Sequence, residues 1–412
     1  MTTKPSVLFV SHDSFRAGAT VILINFLHWF KENTDIPFQI LVCQRGEMEA
    51  EFSKLAPVWY LDARVRRKGA LRAALGSLMR RVPPINVLGF ADLASCIGAA
   101  ANIGLVYSNT VVNGRVLDAL SPLGCPVLTH AHELEFAIHT YAGKDFEYVK
   151  RHTGHFVAVS DAVRDNLVAR HGIPAASVER IYGAVPTMAQ PRADPTVLKR
   201  AMAAEIGIPE NARIVGGCGT VYWLKGCDLF LQLALAIRAR ASSVPVHLVW
   251  IGAKPSVEGF YPIQHDLIRA GLADRVHFIG SRPNPLDYIA AFDVFALVSR
   301  EDAFPLTIME SAAMGVPTVC FDGAAGGGCE FVEADAGRVV PYLDVDAMAE
   351  RVLEFLGDDE LRSRLGLQAQ RKVRERYDIS VMAPKLVRTI ERMLATGGGS
   401  KAAYTKVQSS EE

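Results

Sequence analysis

The sequence is poor in cysteine, and nothing pairs what it has. Cys43, Cys96, Cys125, Cys218, Cys227, Cys320 and Cys329 form an odd set of seven without a C-x-x-C spacing. That excludes a disulfide framework and a zinc knuckle, and it fits a reducing cytosol. No uninterrupted apolar run reaches the roughly 18 residues of a membrane span. Residues 1–6 lack the charged region and apolar core of a signal peptide. The expectation is a cytoplasmic protein, soluble or peripheral on the inner membrane face. An excess of one charge is missing as well: 44 Lys and Arg balance 44 Asp and Glu. Bulk charge therefore argues against a nucleic-acid partner. Two nucleotide motifs are also absent. No G-x-x-x-x-G-K-[ST] occurs, and the GAAGGG run at 323–328 has no following lysine, which excludes a P-loop ATPase. SHDSFRAGAT, after the first apolar run, is not G-x-G-x-x-G, which excludes the usual dinucleotide oxidoreductase.

What is present is length and alternation. A chain of 412 residues, 50% hydrophobic, is too long for one core and predicts two domains of roughly 150–200 residues. Apolar runs at 7–10, 38–43, 58–61, 104–107, 127–130 and 156–159 read as buried strands, with helical patterns such as 21–30 and 161–170 between them. Residues 184–196, carrying Pro186, Pro191 and Pro195, read as a linker. A second series follows, with strands at 213–218, 246–251, 276–279, 294–297 and 318–321 and helices including 228–237 and 304–314. Alternation of this kind predicts an α/β protein of two doubly wound, Rossmann-like parallel sheets facing across a cleft, where open α/β folds bind ligands. The expected limits are 1–183 for an N-terminal acceptor domain and 197–380 for a C-terminal donor-binding domain. A helix at 381–396 is expected to pack back on the N-terminal domain. A Gly-, Ser- and Lys-rich tail at 397–412 is expected to be disordered.

The richest segment is 299–321, SREDAFPLTIMESAAMGVPTVCF. Pro305 suits the first turn of a helix, and Gly315 before Pro317 stops it. Such a helix aims the N–H groups of Leu306 and Thr307 outward, where they attract phosphate. Glu310 lies about one and a half turns in and could accept bonds from ribose hydroxyls. Asp302, in the preceding loop, could bind sugar hydroxyls. The same spacing suits an ordinary loop with solvated acids and a surface Glu equally well.

Here a resemblance becomes specific. D-A-F-P-L-T-I-M-E followed by S-A-A-M-G-V-P-T-V resembles the E-x7-E signature of the family-four retaining glycosyltransferases (glycosyl transferases group 1), which have the GT-B fold. The resemblance implies that Glu310 binds the donor ribose. It implies that Asp302, one methylene shorter than the family's first acid, orients the sugar together with the backbone at Phe304. IVGGCGTVYWLKGCDLF at 214–230 resembles the family's G-R-x-x-x-x-K-G-x-D element, in which Arg and Lys grip the diphosphate. Gly219, Lys225, Gly226 and Asp228 match, Thr220 replaces the Arg, and Arg300 is the candidate replacement cation. Gly18, in the first strand–helix turn, matches a glycine that lets backbone approach donor and acceptor. VLTHAHE at 127–133 places His132 and Glu133 where the family carries a His and an acid near the transferred sugar. His130 and His132 also have an H-x-H spacing, but no third metal ligand accompanies them. In VHFIGSRPNPLDYIAAFDVF, backbone at Ser281 and Arg282 is expected to meet the base. GGGCEFVE at 326–333 resembles the G-G-x-x-E loop after the signature helix.

The implied activity is retaining, metal-independent transfer of a hexose from a UDP- or GDP-type sugar to a saccharide or lipid-linked acceptor, in cell-surface glycan synthesis. Lys225, Asp302 and His132 would be the catalytic side chains, and no cofactor beyond the donor is expected. A nucleotide-sugar epimerase and a non-catalytic donor-binding subunit are the rivals. The acceptor side rests on 63–91, where Arg64, Arg66, Arg67, Lys68, Arg72, Arg80 and Arg81 meet no acid. Interleaved with Leu71, Leu75, Leu78 and Met79, they suit an anionic membrane surface at about 1 kcal/mol per cation, or a solvated helix face. Co-sedimentation is expected with anionic vesicles, weakening in salt. Equal binding to neutral and anionic vesicles, unchanged by salt, would reject the membrane reading.

Overall fold

The computed structural model describes residues 4–62, 87–186, 193–240, 245–252, 260–324 and 326–396. These fall into two compact units, one drawn from residues 1–158, 164–181 and 383–412, the other from 159–163 and 182–382. The seven basic residues Arg64 to Arg81 and the tail at 397–412 lie outside the described residues.

Unit 1 is a parallel sheet of eight strands: β1 (Ser6–Ser11), β2 (Phe38–Val42), β3 (Val58–Leu61), β4 (Val87–Leu88), β5 (Ile103–Ser108), β6 (Val127–Ala131), β7 (His155–Ala158) and β8 (Val178–Arg180). Their order is β4-β3-β2-β1-β5-β6-β7-β8. Every residue of β1 is buried, which is why it reads as a continuous apolar run rather than an alternation. The helix Gly18–Asn33 buries Ile22, Leu23, Phe26, Leu27 and Phe30, one stripe at helical spacing. Phe26 and Phe30 close on Phe9 with ring centroids 6.1 and 5.5 Å away, and Tyr107 lies at 4.9 Å.

Unit 2 is a parallel sheet of six strands: β9 (Arg213–Cys218), β10 (Val246–Ile251), β11 (Val276–Gly280), β12 (Val294–Leu297), β13 (Thr318–Phe321) and β14 (Gly337–Val340). Their order is β11-β10-β9-β12-β13-β14. β9 carries Gly216 and Gly217 because its neighbours come close. A Cβ on Gly216 would lie 1.8 Å from the Phe292 ring, and one on Gly217 would lie 2.5 Å from Trp250.

In each sheet the chain winds outward one way and then the other, so the order reverses between β1 and β5 and between β9 and β12. The loops at those carboxyl ends diverge and leave room for a ligand. β9 and β12 pair in register at Val294–Val215 and Phe295–Gly216, and beyond them their loops are joined by the Arg300 N–H to the Leu224 carbonyl at 2.7 Å and by side chains.

The structure adds detail at three boundaries. Pro305 caps the signature helix in an extended conformation, φ −68° and ψ 110°, so that helix begins at Leu306 instead of 304. The described ends of the expected linker at 184–196 are tied down. Val185 pairs with Asp378, its N–H donates to the Tyr377 carbonyl at 3.2 Å, and Asp194 caps the helix Pro195–Ile206. Residues 187–192 lie outside the described residues. The boundary near 183 is also more interleaved than a single cut: residues 159–163 belong to unit 2, while 164–181 and 383–412 belong to unit 1. The last helix runs Ile379–Thr396, and its Thr389 and Arg392 donate to Glu179 of unit 1 at 2.8 and 2.9 Å. No helix among the described residues is long and apolar enough to cross a membrane.

Candidate active site

The site is built upward from the reversal between β9 and β12. After β9 the chain passes Gly219, where φ is 154°, and makes a short turn over Trp223–Lys225. Gly226 closes that turn at φ 71°, and a Cβ there would sit 2.1 Å from the Val298 carbonyl oxygen. Only glycine allows this backbone to press against the end of β12. The turn delivers Lys225 to Asp302, Nζ to Oδ2 at 2.5 Å, with the two side chains 32% and 12% exposed. Asp302 is anchored in turn by its N–H, which donates to the Ala324 carbonyl at 2.8 Å. Two candidate residues 77 positions apart thus meet directly.

Arg300 lies against the turn that carries Lys225, its N–H donating to the Leu224 carbonyl at 2.7 Å. Its guanidinium donates twice to Asp228, at 2.9 and 2.7 Å, and once to the Trp223 carbonyl at 2.8 Å. It also lies 5.0 Å from the Trp223 ring centroid. The hydrogen bonds from Arg300 hold the Asp228 carboxyl below the usual carboxylate range. The expected second phosphate cation therefore has its charge engaged by Asp228. Thr220, at the position of the family's Arg, is exposed.

The signature helix spans Leu306–Ala313, and the first N–H groups of any helix lack intrahelical partners. Phe304 lies two residues before it. Its ring is buried between Tyr182 and Tyr377, with centroids at 5.9 and 6.0 Å. Cβ atoms on Gly183 or Gly327 would lie 2.4 or 2.2 Å from that ring. Glu310 follows on the fifth residue of the helix. Burial pushes the Cys218 thiol at the end of β9 up to about 12, with Glu310 adding to the rise and Lys225 opposing it. The end of β9 therefore lies in the field of both candidate residues.

The loop after β13 folds under Asp302. A Cβ on Gly326 would approach the carbonyl oxygens of Ala303 and Asp302 to 2.9 and 3.0 Å. Glu330 then accepts from the N–H groups of Asp161 and Ala162, at 2.9 Å each. It caps the helix that begins at Asp161, a place where a carboxylate meets the positive helix end. Sequence reasoning gave Glu330 no role, although the G-G-x-x-E spacing singled it out. At the end of β11, Arg282 turns its side chain onto Glu205 at 2.6 Å, and Tyr288 donates to the same carboxylate at 2.8 Å. The Arg282 side chain therefore faces Glu205, while Ser281 beside it is exposed.

In unit 1 the residues after β1, β5 and β6 form a second polar cluster. Asp13 accepts from Thr20 at 2.9 Å, and Asn109 donates to the Ala19 carbonyl at 2.8 Å. Glu133 accepts from the Thr110 hydroxyl and, at 2.9 Å, from the His132 N–H. Burial raises its carboxyl above the usual range. Tyr107 bonds His130 Nδ1 at 2.6 Å, and the His130 and His132 rings lie 4.2 Å apart. Burial pushes His132 down to about 3, so the ring is neutral at pH 7. Among the described residues its Nε2 has no hydrogen-bond partner. A Cβ on Gly18 would meet nothing within 4 Å. The described atoms therefore leave open space beside Gly18. Among the described residues no group of three or more His, Cys, Asp or Glu is arranged to hold a metal ion.

Residues 212–358, which carry the Lys225 turn, Asp302 and Glu310, match the family model described as Glycosyl transferases group 1. This segment belongs to the group 1 glycosyltransferase family. The chain is 30% identical over 174 residues to the lipopolysaccharide core biosynthesis mannosyltransferase LpsB of Rhizobium meliloti, covering 41% of this chain and 47% of that protein. Matches to the first curated relatives thus span about half their length. A longer match, 28% identical over 384 residues, joins 86% of this chain to 82% of the D-inositol 3-phosphate glycosyltransferase of Salinispora arenicola. Anabaena HepE in complex with UDP-glucose superimposes with a TM-score of 0.77 over 94% of this chain and 99% of its own, at 20% identity. The fold is GT-B.

The geometry of the group 1 segment makes one substitution decisive. Gly226→Ala forces a side chain into the left-handed region and into the Val298 carbonyl, and is expected to cost roughly 2–4 kcal/mol. Denaturant unfolding reads this directly, and an unchanged midpoint would contradict the turn described.

Proposed function

We propose that the protein is a metal-independent, retaining glycosyltransferase that moves a hexose from a nucleotide sugar to a saccharide or lipid-linked acceptor. The observation that carries this is the Lys225–Asp302 pair, set at the strand reversal beside the start of the Leu306–Ala313 helix in the segment that matches the family model. A diphosphate needs cations and N–H donors. Lys225 and the amides of Leu306 and Thr307 supply them and stabilise the charge that develops on the leaving group. A phosphate that takes Lys225 releases Asp302, which then accepts from sugar hydroxyls. Glu310 binds the ribose, and Ser281 with the Arg282 backbone meets a base of the UDP or GDP type. The solved HepE with UDP-glucose supports a nucleotide-sugar donor for this fold. LpsB, named for lipopolysaccharide core biosynthesis, supports a cell-surface acceptor. In unit 1, neutral His132 serves the transferred sugar as a hydrogen-bonding group, with Gly18 leaving room for substrate. The basic stretch from Arg64 to Arg81 would hold the protein at the inner membrane face.

Lys225→Ala is expected to cut turnover by about 10²–10³, and Glu310→Ala to raise the donor KM by about 10-fold or more. A donor panel with acceptors, read as nucleotide release and product mass, checks both. Activity retained in both variants would defeat the assignment. EDTA is expected to leave the rate unchanged. Since burial lowers the His132 pKa to about 3, His132→Gln should lower kcat without moving the rate profile between about pH 5 and 8. Conversion of donor without acceptor would identify an epimerase, and donor binding without nucleotide release would identify a non-catalytic subunit.

A further inference from the structure

The donor-site reading leaves Arg300 and Asp228 without a function, although both hold the turn that carries Lys225. We propose that they form a positioning clamp that fixes the Lys225 turn against the loop after β12, and that Arg300 acts on the donor only through Lys225. The proposal rests on the reading of Lys225 as a diphosphate ligand.

Every tie converges on the same short turn. The Arg300 N–H donates to the Leu224 carbonyl at 2.7 Å. The guanidinium holds the neighbouring Trp223 carbonyl at 2.8 Å. It also grips both oxygens of Asp228, the second residue of the helix Cys227–Arg240. Leu224 and Gly226 flank Lys225, and Gly226 is pressed on Val298. The backbone carrying Lys225 is thus fixed from before and after. Asp228 gains from the helix end as well as from Arg300, so taking the guanidinium away would leave that carboxylate without its main partner. An arginine that binds phosphate directly presents a free fork of N–H donors, whereas here both terminal nitrogens are engaged, and the Arg300 side chain is only 12% exposed. The bidentate grip also needs a planar guanidinium, which lysine cannot reproduce.

Two measurements on the full chain test the clamp. The first is calorimetric affinity for UDP-glucose and for GDP-mannose, using whichever binds the unsubstituted protein more tightly. Arg300→Ala and Asp228→Ala should each weaken binding about tenfold, their combination should do little more, and Arg300→Lys should recover only part. In a Lys225→Ala background, Arg300→Ala should cost nothing further, which a general loss of stability would not reproduce. Affinity that holds or rises in Asp228→Ala while Arg300→Ala loses it would mean that the freed guanidinium binds phosphate itself, and the clamp would be overturned. The second measurement needs no ligand: amide exchange across residues 222–228 should rise about tenfold in both single variants while β1 stays protected. Unchanged exchange in the turn overturns the clamp by itself. Failure of the unsubstituted protein to bind either donor would instead count against the donor-site reading, and exchange would still decide the clamp.

Discussion

The ion pair between Lys225 and Asp302 is the contact on which the functional account depends, because it ties the two loops that open at the reversal between β9 and β12. Its strength matters less than its replaceability. A partly exposed pair of this sort contributes about 1 kcal/mol or less, so breaking it costs little when a diphosphate offers Lys225 a doubly charged partner. A ligand that arrives as an anion therefore meets a cation already placed, and it leaves behind an acceptor for hydroxyl groups. One local exchange gives the site both halves of a sugar diphosphate's chemistry.

The other buried charges of unit 2 differ in being satisfied by fixed partners. Asp293, 8% exposed, precedes β12 and accepts from Lys199 at 2.6 Å and from the Ile214 N–H of β9 at 2.7 Å. It ties β9 to β12 at the end of the sheet opposite the site. Lys372, almost wholly buried, holds Glu333 and Asp335 at 2.5 and 2.7 Å behind the helix that carries Glu330. Asp293 also faces Arg213 and Arg362, and Lys372 keeps two carboxylates, so each buried charge has more than one fixed partner and reads as scaffold. The two strands nearest the site are thus locked at one end by Asp293, and at the other the exchangeable Lys225–Asp302 pair sits beside the fixed Arg300–Asp228 contacts.

Much of this was legible in the residues, and the gaps have physical causes. Central strands such as β1, β9 and β10 are buried on both faces and announce themselves as apolar runs. The short strands β4, β8 and β14 were missed, because segments as brief as Val-Glu-Arg or as polar as Gly-Arg-Val-Val carry no periodic signal and are recruited by the sheet beside them. The start of the signature helix differs by two residues, because the fixed φ of Pro305 suits a cap as well as a first helical residue. Lys225 and Asp302 were each found from their own motif. Their contact was not legible, since nothing in two segments 77 residues apart states that their loops converge. The engagement of Arg300, the candidate replacement cation, by Asp228 is hidden for the converse reason: charge is visible in a sequence, and the carboxylate that meets it is not.

The most direct test of the central exchange is a crystal structure with the intact nucleotide sugar bound. The account predicts Lys225 Nζ on the diphosphate, more than hydrogen-bonding distance from Asp302, and the Asp302 carboxylate accepting from a hydroxyl of the sugar. A diphosphate bound elsewhere, with Lys225 still paired to Asp302, would contradict it.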